Sequence, residues 1–304
     1  MNRRKFRYNG SISLVGTSLV PTVASAKLMH SKKDNPIFAH LWVYASKFPL
    51  EWDATPVLEN IFSDLSYAGI EGLELMERVL RHDDAVKRLN KLVKKYDVPV
   101  SGYSYSGPFK MWDIEQHNDI LEDVNLVLPR LAKVGGKTLG ISVGGKNGLK
   151  TEAELDAQAE LLKKIRSICD DHGILPNLHN HNSEVENNMH DLKGILARIP
   201  DFPLGPDLNW LIRGGVDPVE FIQAYSDQIV YLHIRDQYED GTWTEYVGQG
   251  DTAFEPIAAA LKAKNYNGPL AIELAFPNDF TPEYELKETW KKSREFVEKV
   301  FGIL

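Results

Sequence analysis

The sequence has little cysteine and no long run of lysine and arginine. Its single cysteine, Cys169, cannot form an internal disulfide, and its place in an apolar helical pattern predicts a packed thiol. The 35 Lys and Arg residues are outnumbered by 43 Asp and Glu residues, which gives a net charge of -8. Because a nucleic acid needs cations gathered on one face of a protein, this balance argues against a nucleic-acid partner and favours a small molecule.

The amino-terminal segment differs in composition from the rest of the chain. Asn2–Phe6 resembles the twin-arginine export motif, and an uncharged, weakly apolar run over residues 9–24 and the small-residue site Ala24-Ser25-Ala26 follow it. Residues 1–26 are therefore predicted to be a signal peptide, and the mature protein to be periplasmic or otherwise exported. The alternative is a disordered basic tail, because the apolar run contains Gly and Pro. A stable membrane span is not expected for the same reason.

The sequence also lacks a Gly-rich phosphate loop after its first predicted strand, which argues against a doubly wound sheet. From residue 35 onward, short apolar runs alternate with amphipathic helical stretches, as in a parallel sheet built from βα units. Eight predicted strands and eight predicted helices in about 270 residues match a closed barrel. We predict a single (β/α)8 TIM-barrel catalytic domain over residues 35–304. Its strands are predicted at Ile37–Tyr44, Ile70–Leu75, Val98–Tyr105, Thr138–Val143, Ile174–His179, Leu204–Leu208, Ile229–Ile234 and Leu270–Leu274.

Possible metal ligands end four of the later strands. These residues are His179 with His181, Asp207, His233 and Glu273. In this fold the active site lies at the carboxyl ends of the strands. Imidazole nitrogen and carboxylate oxygen together suit a divalent metal such as manganese, zinc, cobalt or iron, whereas calcium prefers oxygen alone. For each residue by itself the alternative is structural, since a buried histidine is often only hydrogen-bonded and an aspartate often caps the next helix. Their shared position at one end of the sheet favours a metal site.

Six short motifs lie in order along the second half of the chain: His179–Glu184, Asp207–Trp210, Gly215–Pro218, Leu232–Asp236, Val247–Gly250 and Ala271–Glu273. Together they resemble the xylose-isomerase-like TIM-barrel superfamily, the sugar phosphate isomerase/epimerase group. The resemblance implies a metal held by four side chains, commonly Glu, Asp, His and Glu from successive strands. Asp207, His233 and Glu273 match the last three positions, whereas a histidine stands where many relatives have the first glutamate.

The two histidines after the fifth strand are candidates for different roles. His179 and His181 are two residues apart, so both point into the barrel mouth if the strand stays extended. We assign His179 as the ligand, because it is nearer the strand body, and His181 as an acid/base; the reverse assignment stays open. Glu273 and Glu74 are the other candidate catalytic residues, and Glu74 is either a base or the partner of an arginine.

Aromatic and polar residues at other strand ends are candidates for a sugar platform, although aromatic residues there also serve as core filler. They are His40, Trp42, Tyr103, Tyr105, Phe109 and Trp112. A small-molecule carbohydrate is therefore the expected partner. Whether the chain forms a homo-oligomer is left open.

The predicted chemistry starts at a carbohydrate carbonyl. A divalent metal stabilises the enediolate formed when a base removes the adjacent proton, a step common to isomerisation, epimerisation and β-elimination. We predict a sugar isomerase or epimerase. One alternative is a lyase that eliminates from a 3-keto-sugar or 3-keto-glycoside, because the first glutamate is missing. Another is a non-catalytic periplasmic sugar-binding barrel. Phosphodiester cleavage of the endonuclease IV kind is disfavoured, since Trp210 stands where that family places a histidine.

Overall fold

The computed structural model of the protein describes residues 35–302 apart from residues 49, 107, 108 and 278. The predicted signal peptide, residues 1–26, lies outside the described residues and stays a prediction. In the described part of the chain, none of the helices is both long and apolar enough to cross a membrane.

Seven short strands form one parallel sheet. They are β1 (Ile37–His40), β2 (Leu73–Met76), β3 (Val100–Tyr105), β4 (Thr138–Ile141), β5 (Leu175–Leu178), β6 (Leu232–Ile234) and β7 (Leu270–Ile272). Their order in the sheet is β5-β4-β3-β2-β1-β7-β6, and every pair is parallel. Nearly all strand residues are buried, which explains their continuous apolar runs. Because the strands are parallel, the residues that follow them meet at one edge of the sheet.

The segment between β5 and β6, predicted as a full strand over residues 204–208, forms isolated bridges instead. Leu204 makes single parallel bridges to Leu178 and Ile229, and Asp207 makes one to His233. Regular pairing stops there because the side chain of Asp207 caps the helix that begins at the next residue. The prediction of eight regular strands was therefore wrong at this position, although the segment still lies between its expected neighbours.

Ten α-helices are found among the described residues. They are α1 (Trp42–Ala45), α2 (Leu58–Ala68), α3 (Ala85–Tyr96), α4 (His117–Lys133), α5 (Glu152–Asp171), α6 (Asn182–Arg198), α7 (Leu208–Arg213), α8 (Pro218–Tyr225), α9 (Phe254–Ala263) and α10 (Leu286–Phe301). The first predicted strand is shorter than expected, since β1 ends at His40 and α1 follows directly. The longer helices bury one apolar face each, such as Ile61, Phe62 and Leu65 of α2.

Local cap chemistry explains where several helices begin. The hydroxyl of Thr151 accepts a hydrogen bond from the backbone N–H of Glu154, whose carboxylate accepts one in return from the Thr151 backbone. Asp217 caps α8 ahead of Pro218 in the first turn. These caps place the helices so that the chain returns to the amino ends of the strands, and the loops that follow the strands are left to build the site.

Candidate metal centre

Four buried side chains meet at the carboxyl edge of the sheet. His179 follows β5, Asp207 precedes α7, His233 lies in β6, and Glu273 follows β7. One nitrogen or oxygen atom from each of the four lies within 4.8 Å of the others, and none of the four residues is more than 4% exposed. The structure thus brings together the four residues that the sequence predicted as metal ligands, which are separated by up to 94 positions along the chain, from 179 to 273.

One of the four side chains carries a buried polar atom, Nδ1 of His179, that has no hydrogen-bond partner in the described part of the chain. Nδ1 of His233 and Oε2 of Glu273 face each other at 3.0 Å and make no further hydrogen bond there. Buried polar atoms that are poorly partnered are costly, so a cation shared by His179, His233 and Glu273 would offset that cost. Two imidazole nitrogens and two carboxylates fit a divalent transition metal, and we conclude that this group can hold one.

The other nitrogen of His233 faces Glu74, which ends β2. His233 Nε2 lies 2.7 Å from Glu74 Oε2, and both side chains are almost fully buried. Burial acts to lower the pKa of His233, but the charge of Glu74 and the hydrogen bond to Glu273 outweigh it and raise the pKa to about 10. Burial acts to raise the pKa of Glu74, but the charge of His233 outweighs it and holds this pKa below its ordinary value. Glu74, predicted as a catalytic base, therefore has His233 as its immediate partner.

Arg235 lies between two of the candidate ligands. Its Nε is 2.7 Å from Asp207 Oδ2, and its terminal nitrogen forms an ion pair with Glu273 Oε1. Arg235, within the predicted motif Leu232–Asp236, therefore makes salt bridges to two candidate ligands. His40 also reaches the same carboxylate, with Nδ1 3.2 Å from Glu273 Oε1. The sequence analysis did not predict this contact, although the position of His40 at the end of a strand was a usable signal. The guanidinium offsets the negative charge that three buried carboxylates gather here.

His179 and His181 have different surroundings. The rings lie 5.1 Å apart between centroids; His179 is buried, whereas His181 is half-buried beside Trp210 at 5.5 Å. Burial is the main reason why the pKa of His179 lies well below its ordinary value, and the neighbouring imidazoles lower it further. A neutral imidazole is the form that binds a metal. The position of His181 at the mouth suits contact with a substrate.

The aromatic surface of the mouth differs from the predicted one. Tyr103 and Tyr105 are fully buried under the mouth and belong to the core. The mouth instead has a cluster of Trp210, Trp243 and Arg213, in which the two indole rings meet edge-on and the Arg213 guanidinium lies 3.4 Å from the Trp243 ring centroid and 4.9 Å from that of Trp210. Trp243 lies in a loop with no strand-end signal, so the sequence did not point to it.

Asp236, three residues after His233, holds the loop that follows β6. Its Oδ2 accepts hydrogen bonds from the backbone N–H groups of Gly248 and Gly250, both at 2.8 Å, and its Oδ1 accepts one from Gln237 at 2.9 Å. Asp236 thus orients loop backbone and not a ligand side chain. This loop carries Trp243 and forms one side of the mouth.

Comparison with known proteins agrees with this architecture. The sequence pattern of the family described as Xylose isomerase-like TIM barrel matches residues 62–300. Among curated proteins, an inosose dehydratase from Clostridium perfringens is 24% identical over 264 residues, which cover 74% of this chain and 87% of the relative.

Two solved structures show the same fold at low sequence identity. A D-allulose 3-epimerase from Methylomonas sp. superposes with a TM-score of 0.70 at 16% identity, and the match covers 88% of this chain and 98% of that one. A 3-keto-D-glucoside 4-epimerase from E. coli superposes with a TM-score of 0.68 at 14% identity over 88% of this chain and all of that one. From the matched family pattern and the shared fold, this chain belongs to the xylose isomerase-like TIM barrel family.

Proposed function

We propose that this protein is a metal-dependent enzyme that isomerises or epimerises a keto-sugar through an enediolate. The observation that carries the proposal is the buried group of His179, Asp207, His233 and Glu273, whose possible ligand atoms lie within 4.8 Å of one another and in which Nδ1 of His179 has no hydrogen-bond partner within the described residues. The relatives bear names of enzymes that act on cyclic polyol ketones, ketoses and keto-glucosides, which supports a carbohydrate substrate. Manganese, zinc, cobalt and iron all fit the donor set.

A divalent cation held by these four residues would stabilise the negative charge that develops on a substrate carbonyl oxygen when the adjacent proton is removed. The protein's own part is to hold and move that proton. His181 lies at the mouth beside Trp210, where imidazole is well placed as a general acid/base. Glu273 is the second candidate, because its Oε1 is held by His40 and Arg235 while its Oε2 faces Nδ1 of His233 at 3.0 Å, toward the candidate ligand group.

We assign Glu74 a positioning role in this reaction. It is 1% exposed and faces Nε2 of His233, on the side of the ring away from the ligand group. A carboxylate that accepts the outer N–H of a ligating histidine fixes its tautomer and orientation, and makes the inner nitrogen a better ligand. His233 would then bind through Nδ1, which faces Glu273 Oε2 at 3.0 Å, after this nitrogen has given up its proton.

A second candidate reaction is β-elimination from a 3-keto-sugar or 3-keto-glycoside. A base removes the proton next to the ketone, the bond between the β-carbon and its oxygen breaks, and the departing oxygen takes a proton to give an unsaturated ketone and water or an alcohol. Epimerisation requires proton exchange at both faces of one carbon, commonly by two carboxylates. Here a histidine replaces the first glutamate, and the curated relative is named a dehydratase, so both observations favour elimination as the alternative.

Two further inferences complete the proposal. We infer that residues 204–207 act as the eighth strand of a closed barrel, since Leu204 bridges toward both β5 and the segment ahead of β6. We also infer that residues 1–26 direct export, so that the enzyme meets free sugars or glycosides outside the cytoplasm. A sugar-binding barrel without catalysis is the remaining alternative.

The first test is the metal content of the purified mature protein. We expect near-stoichiometric transition metal by inductively coupled plasma mass spectrometry, its loss in His233→Ala, and its retention in His82→Ala, which removes a half-exposed histidine paired with Asp53. The loaded enzyme is then incubated with keto-sugars in deuterium oxide. A recovered epimer carrying deuterium identifies epimerisation, whereas an unsaturated ketone identifies elimination. No metal after reconstitution and no turnover, with sugar still bound, would leave the binding barrel.

A further inference from the structure

A second cleft lies beside the mouth of the candidate metal centre. It has a volume of about 280 Å³ and lies between the loop that follows β6 and the segment that follows β7. Tyr238, Trp243, Glu245 and Gln249 line it from the first side, and Phe280 and Glu283 from the second. None of these six residues belongs to the candidate ligand group.

The cleft shares a wall with the metal centre. The ring of Trp243 lies 5.2 Å from the guanidinium carbon of Arg235, and Arg235 contacts Asp207 and Glu273 directly. Trp243 also packs edge-on against Trp210 at 5.4 Å. Trp243 thus borders both the cleft and the mouth, where Trp210 lies 5.5 Å from the His181 ring.

The walls of the cleft are held in place before any ligand arrives. The Arg213 guanidinium lies against the Trp243 ring, and Arg213 Nε donates to Gln237 Oε1 at 2.8 Å. Glu245 is 3% exposed and its Oε1 accepts a hydrogen bond from the backbone of Tyr284 at 2.9 Å, which ties the two walls together. A preformed cleft loses little conformational entropy on binding.

The chemistry of the lining selects the kind of ring. Aromatic faces suit the CH surface of a sugar, and carboxylate and amide groups suit its hydroxyls. The lining contains Glu245 and Glu283 and, among the described residues, no lysine or arginine. An anionic group such as a phosphate or a uronate would meet negative charge without a partner. A neutral sugar unit fits best.

We propose that this cleft, lined by Tyr238, Trp243 and Phe280, binds a second, neutral sugar unit, so that the substrate is a keto-glycoside or keto-disaccharide and not a free monosaccharide. The proposal rests on the proposed function, since the reacting ring must lie over the metal group while the second ring occupies the cleft. It assigns to Tyr238, which is 37% exposed, a specificity role outside the ligand group.

The test compares two substrates that differ only in the second ring. Steady-state rates are measured with the 3-keto derivative of methyl glucoside and with the 3-keto derivative of a neutral glucosyl-glucose disaccharide. The metal-loaded full-length protein, Tyr238→Ala, Phe280→Ala and the control Tyr67→Ala are used; Tyr67 is an exposed tyrosine outside the cleft. An aromatic contact contributes about two- to tenfold in affinity.

We expect the unmodified protein to prefer the disaccharide in kcat/KM. Tyr238→Ala and Phe280→Ala should each raise KM for the disaccharide about two- to tenfold, with the rate on the methyl glycoside unchanged, and Tyr67→Ala should change neither. Equal kcat/KM for the two substrates in the unmodified protein would overturn the proposal, as would equal losses on both substrates in the cleft variants.

Failure of the proposed function gives a different result. If neither keto-sugar reacts, binding of the unoxidised disaccharide and of methyl glucoside is measured by calorimetry. Tighter binding of the disaccharide that is lost in Tyr238→Ala still supports the cleft as a sugar site. Equal binding of the two sugars, or no binding, overturns the inference about the cleft independently of catalysis.

Discussion

Replacement of Glu74 by glutamine separates a positioning role from a catalytic one. Glutamine has nearly the same shape as glutamate and keeps an oxygen that accepts a hydrogen bond from His233, so the fold should be retained. It removes the negative charge 2.7 Å from His233 Nε2. Gly140 lies against this side chain, where an added Cβ would stand 3.3 Å from Glu74 Oε1, so the amide has little freedom to turn away.

The magnitude follows from the burial of the pair. Loss of a carboxylate behind a ligating histidine typically weakens metal binding about 10- to 100-fold, which corresponds to about 1.4 to 2.8 kcal/mol. Glu74 and His233 are each 1% exposed, so solvent screens their interaction little and the upper half of that range applies. We therefore expect Glu74→Gln to raise the dissociation constant of zinc or cobalt closer to 100-fold than to 10-fold.

The assay is a metal titration in competition with a chromophoric chelator, with the visible spectrum of bound cobalt as a second readout. Asp123→Asn is the matched control, because it neutralises another largely buried carboxylate, one bound by Arg81 and by the Tyr105 hydroxyl outside the metal group. The control should bind metal as the unmodified protein does. Unchanged metal affinity in Glu74→Gln together with a lost kcat would refute the positioning role and make Glu74 an acid/base.

Three further predictions concern groups away from the metal centre. Asp191 forms an ion pair with buried Lys150, and buried Gln158 bonds to both, so Asp191→Asn should cost about 3–5 kcal/mol in urea unfolding, while the triple variant Lys150→Met/Gln158→Leu/Asp191→Leu should recover most of the loss. Burial acts to raise the pKa of Asp53, but hydrogen bonds from Thr55 outweigh it and lower the pKa. The ionised Asp53 carboxylate therefore stabilises the folded state above the ordinary aspartate pKa, and this stabilisation is lost as the pH falls through the lowered pKa of the folded state. Asp53→Asn should cost up to about 1 kcal/mol at neutral pH, with the difference narrowing below about pH 4. Burial raises the pKa of the Cys169 thiol, so alkylation should occur only at the rate of unfolding.

Each of these has a control and an opposing result. Asp201→Asn breaks an exposed ion pair with Arg166 and should lower the free energy of unfolding by less than about 1 kcal/mol. An equally small loss in Asp191→Asn would show that the buried ion pair contributes no more to stability than an exposed one. For Asp53→Asn, a difference from the unmodified protein that does not depend on pH would contradict the sign derived above. For Cys169, fast alkylation of the folded protein by iodoacetamide would show that the thiol is accessible.

The fold and the candidate ligands were largely predictable because both depend on local patterns. A polar residue at the end of an apolar strand is local information, and a parallel sheet brings such residues to one edge. His179, Asp207, His233 and Glu273 were predicted on this basis, and the structure places them together. The limits of the elements were less predictable. The segment 204–207 makes isolated bridges instead of a strand, because Asp207 caps α7 directly after it.

Contacts across the sheet were not predictable, since they depend on which strands become neighbours in space. Glu74 and His233 are 159 residues apart, and only the closeness of β2 and β6 at the mouth brings them to 2.7 Å. The place of Arg235 between Asp207 and Glu273 likewise depends on the positions of three segments that are far apart in the sequence.

The sequence by itself thus determined the βα alternation, the strand-end ligand set and the acidic charge that disfavours nucleic acid. These follow from composition and from hydrophobic periodicities of two residues in strands and 3.6 residues in helices, which can be read within short windows of sequence. The tertiary structure alone decided which carboxylate supports His233, how Arg235 balances the buried charge, and that a cleft lined by Trp243 and Glu245 adjoins the metal group. Those features arise from close packing and burial between distant segments, where the distance between two atoms, and not the order of residues, sets the energy.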